Sequence, residues 1–259
     1  MGRPTSDLAT VDFERGPLSA PHGFSPRAGG VSRPPWDELN LGAAVGDDAA
    51  AVSENRRRVA AAYGVAVERV VRLDQVHGAT VHRAGPGVAG REGDALIGDD
   101  PAWLLAVSAA DCLPLLLLDA RRGAVAAVHA GWRGVAAGVA AATVAALGRH
   151  YRSDPADLLA WLGPAIQGAC YQVGPEVVAA VRADPSVPAE AAWPDAGAPG
   201  RWRLDVPASV RGQLVAAGVP AAAIAASDTC THCAAERCFS HRRDRGRTGR
   251  HWAVVRAPG

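Results

Sequence analysis

The sequence predicts an α+β fold in which mixed β-sheets are covered by helices. Short apolar runs of strand length alternate irregularly with Ala-rich segments of helical character, so the elements do not follow the regular βαβ order of a parallel sheet. Of the 259 residues, 49% are hydrophobic, which is enough to bury a large core. No internal repeat with the period of a solenoid or a propeller occurs. We therefore expect a single domain that spans residues 1–259.

The first half of the chain begins with turns and continues with strands. Turns rich in Gly and Asp at residues 29–32 and 45–48 are expected to connect short strands. A helical pattern covers residues 49–63 and is ended by Gly64. The strand patterns that follow cover residues 67–73, 103–108, 115–118 and 123–128.

The second half of the chain alternates helices with strands. The predicted helices cover residues 135–150, 175–182 and 206–217, and the predicted strands cover residues 158–162 and 252–256. Residues 184–201 contain four prolines among Ala and Gly. This composition predicts a long surface excursion within the domain rather than a domain boundary.

The composition excludes several kinds of chemistry. All 27 basic residues are arginine, and the chain contains no lysine. A Schiff-base aldolase, a pyridoxal phosphate enzyme and a Walker-type nucleotide loop each require a lysine amine, so none of them can be built here. Any phosphate or carboxylate must be bound by arginine, by backbone amides or by a metal ion.

Charge and cysteine content predict where the protein works. The formal net charge is +1 and the pI is about 7.8, so no global field favours nucleic acid or an anionic membrane. Residues 1–16 lack the apolar core of a signal peptide, and no apolar stretch is long enough to span a bilayer. Five cysteines without a secretion signal fit reduced thiols or metal ligands. We expect a cytoplasmic protein.

Three residues at the ends of apolar runs are candidate metal ligands. His77, Cys112 and His129 offer two imidazoles and one thiolate, and a catalytic zinc site takes three such ligands while its fourth position stays open. Separations of 35 and 17 residues require a folded core to bring them together. The alternative is a buried apolar thiol with two histidines that only cap strands.

A second cluster of potential ligands lies near the C-terminus and resembles a zinc knuckle. It contains Cys230, His232, Cys233, Cys238 and His241, and it is followed by an arginine-rich stretch. Such a tail could bind single-stranded nucleic acid or a second zinc ion. Against a separate module, the segment leads directly into an apolar strand that belongs to the main core.

Several motifs occur in the order found in one known family. They are Arg27-Ala-Gly-Gly-Val-Ser, Leu39-Asn-Leu-Gly, Val45-Gly-Asp-Asp, Glu54-Asn-Arg, Gln75-Val-His-Gly, Asp94-Ala, Ala110-Asp-Cys-Leu-Pro, His129-Ala-Gly-Trp-Arg-Gly, Leu162-Gly-Pro-Ala-Ile and Phe239-Ser-His-Arg-Arg. Over nearly its whole length the chain resembles the YfiH-type family. That family was named for polyphenol oxidase or laccase activity, and it is described as zinc-dependent purine nucleoside phosphorylase with adenosine deaminase and methylthioadenosine phosphorylase activities.

The resemblance implies a layered α/β/β/α fold and a set of site residues. It makes His77, Cys112 and His129 the zinc ligands and the catalytic residues, with copper as the less favoured metal. The residues expected to contact substrate are Arg27, Asn40, Gln75, Arg133 and Arg242. The expected partners are a nucleoside and phosphate, with neither nucleic acid nor a membrane. At position 241 the family commonly has an aromatic residue, whereas this chain has a histidine.

Alternative functions remain open at the level of the sequence. Cys112 could be the nucleophile of a cysteine hydrolase, with His129 or His77 as its base. Related proteins are linked to peptidoglycan editing, so a cell-wall precursor is the expected substrate of such a hydrolase. A copper polyphenol oxidase ranks lower, because the chain has 8 histidines and no His-x-His pair.

Overall fold

Two β-sheets that pack face to face form the centre of the protein. The computed structural model describes residues 11–259, so most of the segment interpreted as lacking a signal peptide lies outside the described residues. The larger sheet contains, from edge to edge, β12 (Ile224–Ala226), β8 (Leu158–Leu162), β6 (Leu113–Asp119), β7 (Ala124–Ala130), β4 (Ala95–Gly98) and β3 (Val81–Arg83). The smaller sheet contains β1 (His22–Phe24), β13 (His251–Arg256), β5 (Leu104–Ala109) and β2 (Val70–Val71). A third sheet contains β10 (Ala192–Pro194), β11 (Trp202–Leu204) and β9 (Gln172–Val173).

Helices cover the outer faces of the two large sheets. They are α1 (Ala49–Ala62), α2 (Trp132–Ala136), α3 (Val139–Tyr151), α4 (Pro175–Arg182) and α5 (Val206–Ala216). The side chain of Asp48 caps α1 by accepting the N–H of Ala50, and Asp205 caps α5 by accepting the N–H of Ala208. Among the described residues, no helix combines the length and the apolar character that crossing a bilayer requires.

The side chains of the central strands alternate between the two faces of their sheet, and this alternation produces the layers of the fold. In β6, Leu115 and Leu117 pack against the helices α3, α4 and α5, whereas Leu116 and Leu118 face the smaller sheet. In β5, alternate residues such as Leu104 face the layer that contains α1. Successive side chains of a strand point to opposite faces, so each central strand contributes to two cores. The order of layers is therefore helix, sheet, sheet, helix, and the predicted α+β fold is confirmed.

The structure corrects several predicted elements. Residues 67–73 form a single 3-10 turn followed by only two residues of strand. The predicted helix over residues 135–150 starts earlier and is divided at Gly138, whose φ of 73° lies in the left-handed region. Residues 184–201 are not an excursion, because β10 pairs with β11 and Val187 is buried. Pro194 is tolerated since β10 is an edge strand. The short strands β3, β4, β9, β11 and β12 were not predicted.

His251 at the start of β13 gives the fold a dependence on pH. Its ring Nδ1 donates to the carbonyl oxygen of Ser25 at 2.8 Å, while its Nε2 accepts the N–H of Phe239 at 2.7 Å. Burial lowers the pKa of His251 from 6.5 to about 3, and the nearby charges of Arg27 and Arg250 act in the same direction. The ring is therefore neutral in the folded protein.

We expect the protein to lose stability as the pH falls below about 6.5, because the unfolded chain binds a proton at His251 that the folded chain excludes. Between pH 6.5 and 5 this one group would cost about 2 kcal/mol. Urea unfolding at pH 7.5 and pH 5, together with NMR titration of the His251 ring, measures the effect. A His251 ring that becomes protonated above pH 5 in the folded protein would contradict the prediction.

Candidate metal centre

Three side chains that are far apart in the sequence meet at one end of the larger sheet. They are His77, in the loop between β2 and β3, Cys112, directly before β6, and His129, in β7. Their ligand atoms all lie within 4.8 Å of one another. The antiparallel pairing of β6 with β7 places Pro114 opposite His129, which brings Cys112 beside this histidine. The structure thus brings together the residues that the sequence singled out, and we name them the metal centre.

The buried carboxylate of Asp94 holds two of these residues in place. Its Oδ1 accepts the N–H of His77 and the ring Nδ1 of His129, both at 2.9 Å. Its Oδ2 accepts the N–H of Val76 at 3.3 Å and that of Gly78 at 2.6 Å. These bonds keep His77 at a φ of 60°, a left-handed conformation that is uncommon for a residue other than glycine. Because Nδ1 of His129 is engaged, its Nε2 is the nitrogen left to bind a metal.

The thiolate of Cys112 and the imidazolium of His129 stabilise each other's charge. Burial alone would disfavour the thiolate, but His129 and His77 outweigh it and lower the pKa of Cys112 to about 6. Burial also disfavours a protonated imidazole, but the Cys112 thiolate and Asp94 raise the pKa of His129 to about 9. Without a metal ion, Cys112 and His129 therefore form a thiolate–imidazolium pair near neutral pH. A bound cation would replace that proton.

The donor set and the space around it fit zinc. Two imidazole nitrogens and a thiolate are ligands that Zn²⁺ takes in catalytic sites, where a fourth position stays open. Gly131 faces two of the ligands, since a methyl group at this position would lie 3.0 Å from Sγ of Cys112 and 3.0 Å from Cδ2 of His77. The bare backbone therefore leaves room for these side chains to meet.

We expect Gly131→Ala to weaken zinc binding, because the added methyl group pushes two ligands apart by a few tenths of an ångström. A loss of affinity of about tenfold corresponds to roughly 1.4 kcal/mol of distorted coordination. Competition with a zinc chelator measures the affinity. Gly148→Ala is the matched control, because its methyl group would meet only ordinary contacts, the nearest at 3.5 Å. Equal affinities in the two variants would show that the methyl group does not disturb the ligands.

Asp111, which precedes Cys112, links the metal centre to the C-terminal segment. Its φ of 86° is again left-handed, and its carboxylate is buried. Oδ1 accepts the hydroxyl of Thr231 at 2.6 Å, while Oδ2 accepts the hydroxyl of Ser240 at 3.0 Å and the N–H of Arg242 at 2.7 Å. Three points of the C-terminal segment are thereby fixed beside the metal ligands. Asp111 and Asp94 both belong to motifs of the sequence, but their roles become visible only in the folded structure.

A cavity of about 570 Å³ opens onto the metal centre, a size typical of small-molecule sites. Its lining includes Trp132 and Tyr171, and burial raises the pKa of Tyr171 to about 12, so this phenol is neutral. Three arginines also line it, namely Arg72, Arg242 and Arg250. Within residues 11–259, none of the three forms an ion pair with a carboxylate. Their positive charges are available to an anionic ligand.

Of the five residues expected to contact substrate, two line this cavity. They are Gln75 and Arg242. The amide of Gln75 is engaged with the backbone of Ser108, donating to its oxygen at 2.8 Å and accepting its N–H at 2.6 Å. Arg242 lies against the ring of Tyr171 and donates to the backbone oxygen of Gln172 at 2.8 Å. Sequence reasoning missed Arg72 and Arg250, which no motif marks.

The other three expected contacts lie outside the lining of the cavity. Arg27 pairs with Asp37 at 3.1 Å and lies over the ring of Phe239. Asn40 is fully buried, and its Oδ1 accepts the N–H of Arg250 at 2.9 Å. Arg133 is exposed and lies over the ring of Trp132, 4.3 Å from the ring centre. Asn40 therefore positions a residue of the cavity rather than facing it.

The C-terminal cluster differs from the zinc knuckle that the sequence resembles. Cys230 and Cys233 meet Cys170, which the sequence analysis did not include in the cluster. Cys238 is instead buried in the core between the sheets, and His241 lines the cavity. The predicted grouping of Cys230, His232, Cys233, Cys238 and His241 is therefore wrong, since only Cys230 and Cys233 of this set belong to the observed cluster. The isolated bridge between Ala165 and Cys230 brings the segment of Cys170 beside this turn, so a cysteine from a distant segment takes the place expected for the local residues.

The chain is similar in sequence to a known family and to several known proteins. The family described as multi-copper polyphenol oxidoreductase laccase matches residues 21–257. The chain is 45% identical over 237 residues to purine nucleoside phosphorylase SCO2081 of Streptomyces coelicolor, covering 88% of this chain and 91% of that protein. It is 39% identical over 249 residues to purine nucleoside phosphorylase YlmD of Geobacillus stearothermophilus, covering 90% and 88%.

Solved structures agree with these sequence matches. The crystal structure of YlmD from Geobacillus stearothermophilus superposes with a TM-score of 0.87 at 35% identity, covering 96% of this chain and 100% of that chain. The crystal structure of the hypothetical protein YfiH of Bacillus licheniformis also gives a TM-score of 0.87, at 36% identity and with 92% of each chain covered. The fold around the cavity is thus shared with these structures.

Proposed function

The chain belongs to the multi-copper polyphenol oxidoreductase laccase family, and from this membership and its cavity we propose that it is a zinc-dependent purine nucleoside phosphorylase. Its proposed substrates are inosine, adenosine and methylthioadenosine with inorganic phosphate. The observation that carries the proposal is the pairing of a His-Cys-His metal centre with three unpaired arginines in one cavity. Such a site can bind an anion beside a sugar and also stabilise a departing base. The relatives named purine nucleoside phosphorylase support this choice.

The metal centre would hold zinc through His77, Cys112 and His129. When bound, the ion supplies a net positive charge that stabilises negative charge developing in the cavity. Asp94 keeps the ring of His129 in the orientation and tautomer that binding needs, because it accepts the Nδ1 proton at 2.9 Å. The same carboxylate fixes the backbone of His77.

Phosphate would be bound by Arg72, Arg242 and Arg250. No lysine exists in the chain, so among the side chains only the guanidinium groups of arginine supply a permanent positive charge for phosphate. Nε of Arg72 is buried without a hydrogen-bond partner among the described residues, which favours an external acceptor. In phosphorolysis a phosphate oxygen forms a bond to the sugar C1′ as the bond from C1′ to the purine nitrogen breaks. The purine leaves with that electron pair.

Aromatic residues would orient the nucleoside. Tyr171 and Trp132 provide apolar faces at the cavity wall, and the purine ring would pack against them.

Deamination of adenosine is the second proposed reaction of the site. In that reaction the oxygen of a water molecule forms a bond to C6 of the purine, the bond from C6 to the amino nitrogen breaks, and the nitrogen leaves as ammonia with a proton from the water.

The test is an assay that identifies products from inosine, adenosine and methylthioadenosine, each with and without phosphate. We expect free base and ribose 1-phosphate, or its methylthio derivative, to form only when phosphate is present. Inosine from adenosine without phosphate would report the deaminase activity. Removal of zinc with a chelator should stop both reactions, and its return should restore them. Turnover that continues in protein shown to be free of metal would reject the proposal.

A cysteine hydrolase is the second candidate, favoured by the chain of contacts Asp94–His129–Cys112. A carboxylate that orients an imidazole beside a thiolate is the arrangement of a Cys-His catalytic group. His77 distinguishes the two proposals, because a hydrolase needs no second imidazole on the thiolate.

We expect iodoacetamide to label Cys112 slowly in zinc-loaded protein and at least about tenfold faster after chelation, since a coordinated thiolate is protected. Peptide mass spectrometry measures the labelling, with Cys112 in urea-unfolded protein as the reference. Equally fast labelling of Cys112 with and without zinc would favour the hydrolase.

The copper oxidase is less favoured, because within residues 11–259 only two histidines share a candidate metal cluster.

A further inference from the structure

Three cysteines outside the metal centre meet beside the cavity, and we name them the thiol cluster: Cys170, Cys230 and Cys233. Their sulfur atoms all lie within 4.8 Å of one another, and the Cys170 and Cys233 sulfurs are 3.4 Å apart. All three are free thiols. A tetrahedral zinc ion with Zn–S bonds of about 2.3 Å places its sulfur ligands roughly 3.8 Å apart. These separations therefore fit three ligands of one ion.

The thiol cluster joins two segments that are distant in sequence. Cys230 and Cys233 belong to one turn, in which the N–H groups of Cys233 and Ala234 donate to the carbonyl oxygen of Cys230 at 3.1 and 2.9 Å. Two residues separate these cysteines, which is a ligand spacing found in structural zinc sites. Cys170 ends the 3-10 turn Gly168–Cys170 on the other segment. An ion held by all three would cross-link the two turns.

The backbone beside the thiol cluster presents the N–H group of Gln167 to the sulfur of Cys230. Burial opposes ionisation of Cys230, but backbone N–H groups, led by that of Gln167 at 3.5 Å from its sulfur, lower the pKa of this thiol. Burial and the neighbouring sulfurs of Cys233 and Cys230 raise the pKa of Cys170 to about 12.

We propose that the thiol cluster is a second metal site, which binds Zn²⁺ through three thiolates and leaves its fourth position to water. Each thiol gives its proton to solvent as its bond to zinc forms. Cys233 is exposed, so the ion can enter from solvent. The site is separate from the proposed phosphorylase reaction, since none of its three cysteines lines the cavity.

The second site would stabilise the wall of the cavity. Tyr171, which lines the cavity, follows Cys170 directly. Thr231, which follows Cys230, donates to Asp111 at 2.6 Å, and Asp111 precedes the metal ligand Cys112. The cross-link would therefore fix the positions of both turns relative to the metal centre without contacting the substrate.

The test is the zinc content of purified protein, measured by elemental analysis after exchange into metal-free buffer. We expect about two zinc ions per chain in the unmodified protein and about one in Cys233→Ser, Cys170→Ser and His129→Ala. Cys238→Ala is the matched control and should keep both ions, because its buried thiol lies outside the thiol cluster. Since Cys233 is exposed, its replacement is not expected to disturb folding.

Cobalt substitution provides a second measurement that does not depend on activity. His129→Ala protein reconstituted with Co²⁺ should show the near-ultraviolet absorption of cobalt–thiolate bonds, and adding Cys233→Ser should remove it. Equal zinc contents in the unmodified protein and in Cys233→Ser would overturn the proposal. So would a Cys170–Cys233 disulfide in the intact mass of freshly isolated protein. Unmodified protein that holds two zinc ions but does not catalyse phosphorolysis would contradict the proposed function and would leave the second metal site supported.

Discussion

Replacing His129 with alanine is expected to lower phosphorolysis of inosine about 10³-fold or more and to remove zinc from the metal centre. His129 is 3% exposed and is one of three ligands, so its loss leaves a two-ligand site. Metal charge stabilisation contributes several kcal/mol to such reactions, and each 1.36 kcal/mol is a factor of ten in rate. Steady-state kinetics with identified products, together with zinc analysis, measures both effects.

The matched control for this variant is His82→Ala. His82 lies on β3, and its ring nitrogen contacts only the backbone oxygen of Glu92, at 2.9 Å. This control should keep its zinc and its activity within a small factor. Full phosphorolysis in His129→Ala would show that the metal centre does not take part in the reaction.

Asp94→Asn is expected to weaken zinc binding by about 10- to 100-fold, the range typical for residues that orient a metal ligand. In Asp94, both carboxylate oxygens accept hydrogen bonds, two at each oxygen. An asparagine has only one acceptor oxygen, so its NH₂ group must face either two backbone N–H groups or His77 and His129. The backbone at His77 then loses the contacts that hold it at a φ of 60°.

Chelator competition and kcat/KM measure this second effect, and Asp99→Asn is the control. Asp99 is exposed and only pairs with Arg83 at 3.5 Å, so its replacement should leave zinc affinity unchanged. Zinc added in excess should restore part of the activity of Asp94→Asn, as expected when affinity rather than chemistry is impaired. Unchanged affinity in Asp94→Asn would mean that the ligands are positioned by other contacts.

The sequence predicted the central strands of the fold well and the peripheral ones poorly. The runs that became β6, β7 and β13 are long and apolar because both of their faces are buried. Strands such as β9 and β12, with two or three residues, carry no readable period and exist through their pairing with neighbours. The division of the helical segment at Gly138 was missed because an alanine-rich stretch retains helix propensity on both sides of it.

The convergence of His77, Cys112 and His129 was predictable from the sequence, whereas the surroundings of this cluster were not. His77, Cys112 and His129 carry imidazole or thiol groups, which zinc takes as ligands, and they stand near the ends of apolar runs in the sequence. Arg72 and Arg250 could not be chosen from the 27 arginines of the chain, since only the fold shows which guanidinium groups lack a carboxylate partner. Asn40 and Arg27 also carry polar side chains that could bind a ligand. In the structure, however, Asn40 bonds to the backbone of Arg250 and Arg27 pairs with Asp37.

The three metal ligands come from separate elements, and three apolar cores hold those elements together without a contribution from the ion. Folding can therefore be completed first, and the ion can be acquired afterwards by a finished protein. Under the proposed function, zinc supply would control how many molecules are active, while the number of folded molecules stays the same. Starvation for the metal would create a reserve of intact, inactive protein that recovers its activity on reloading without new synthesis.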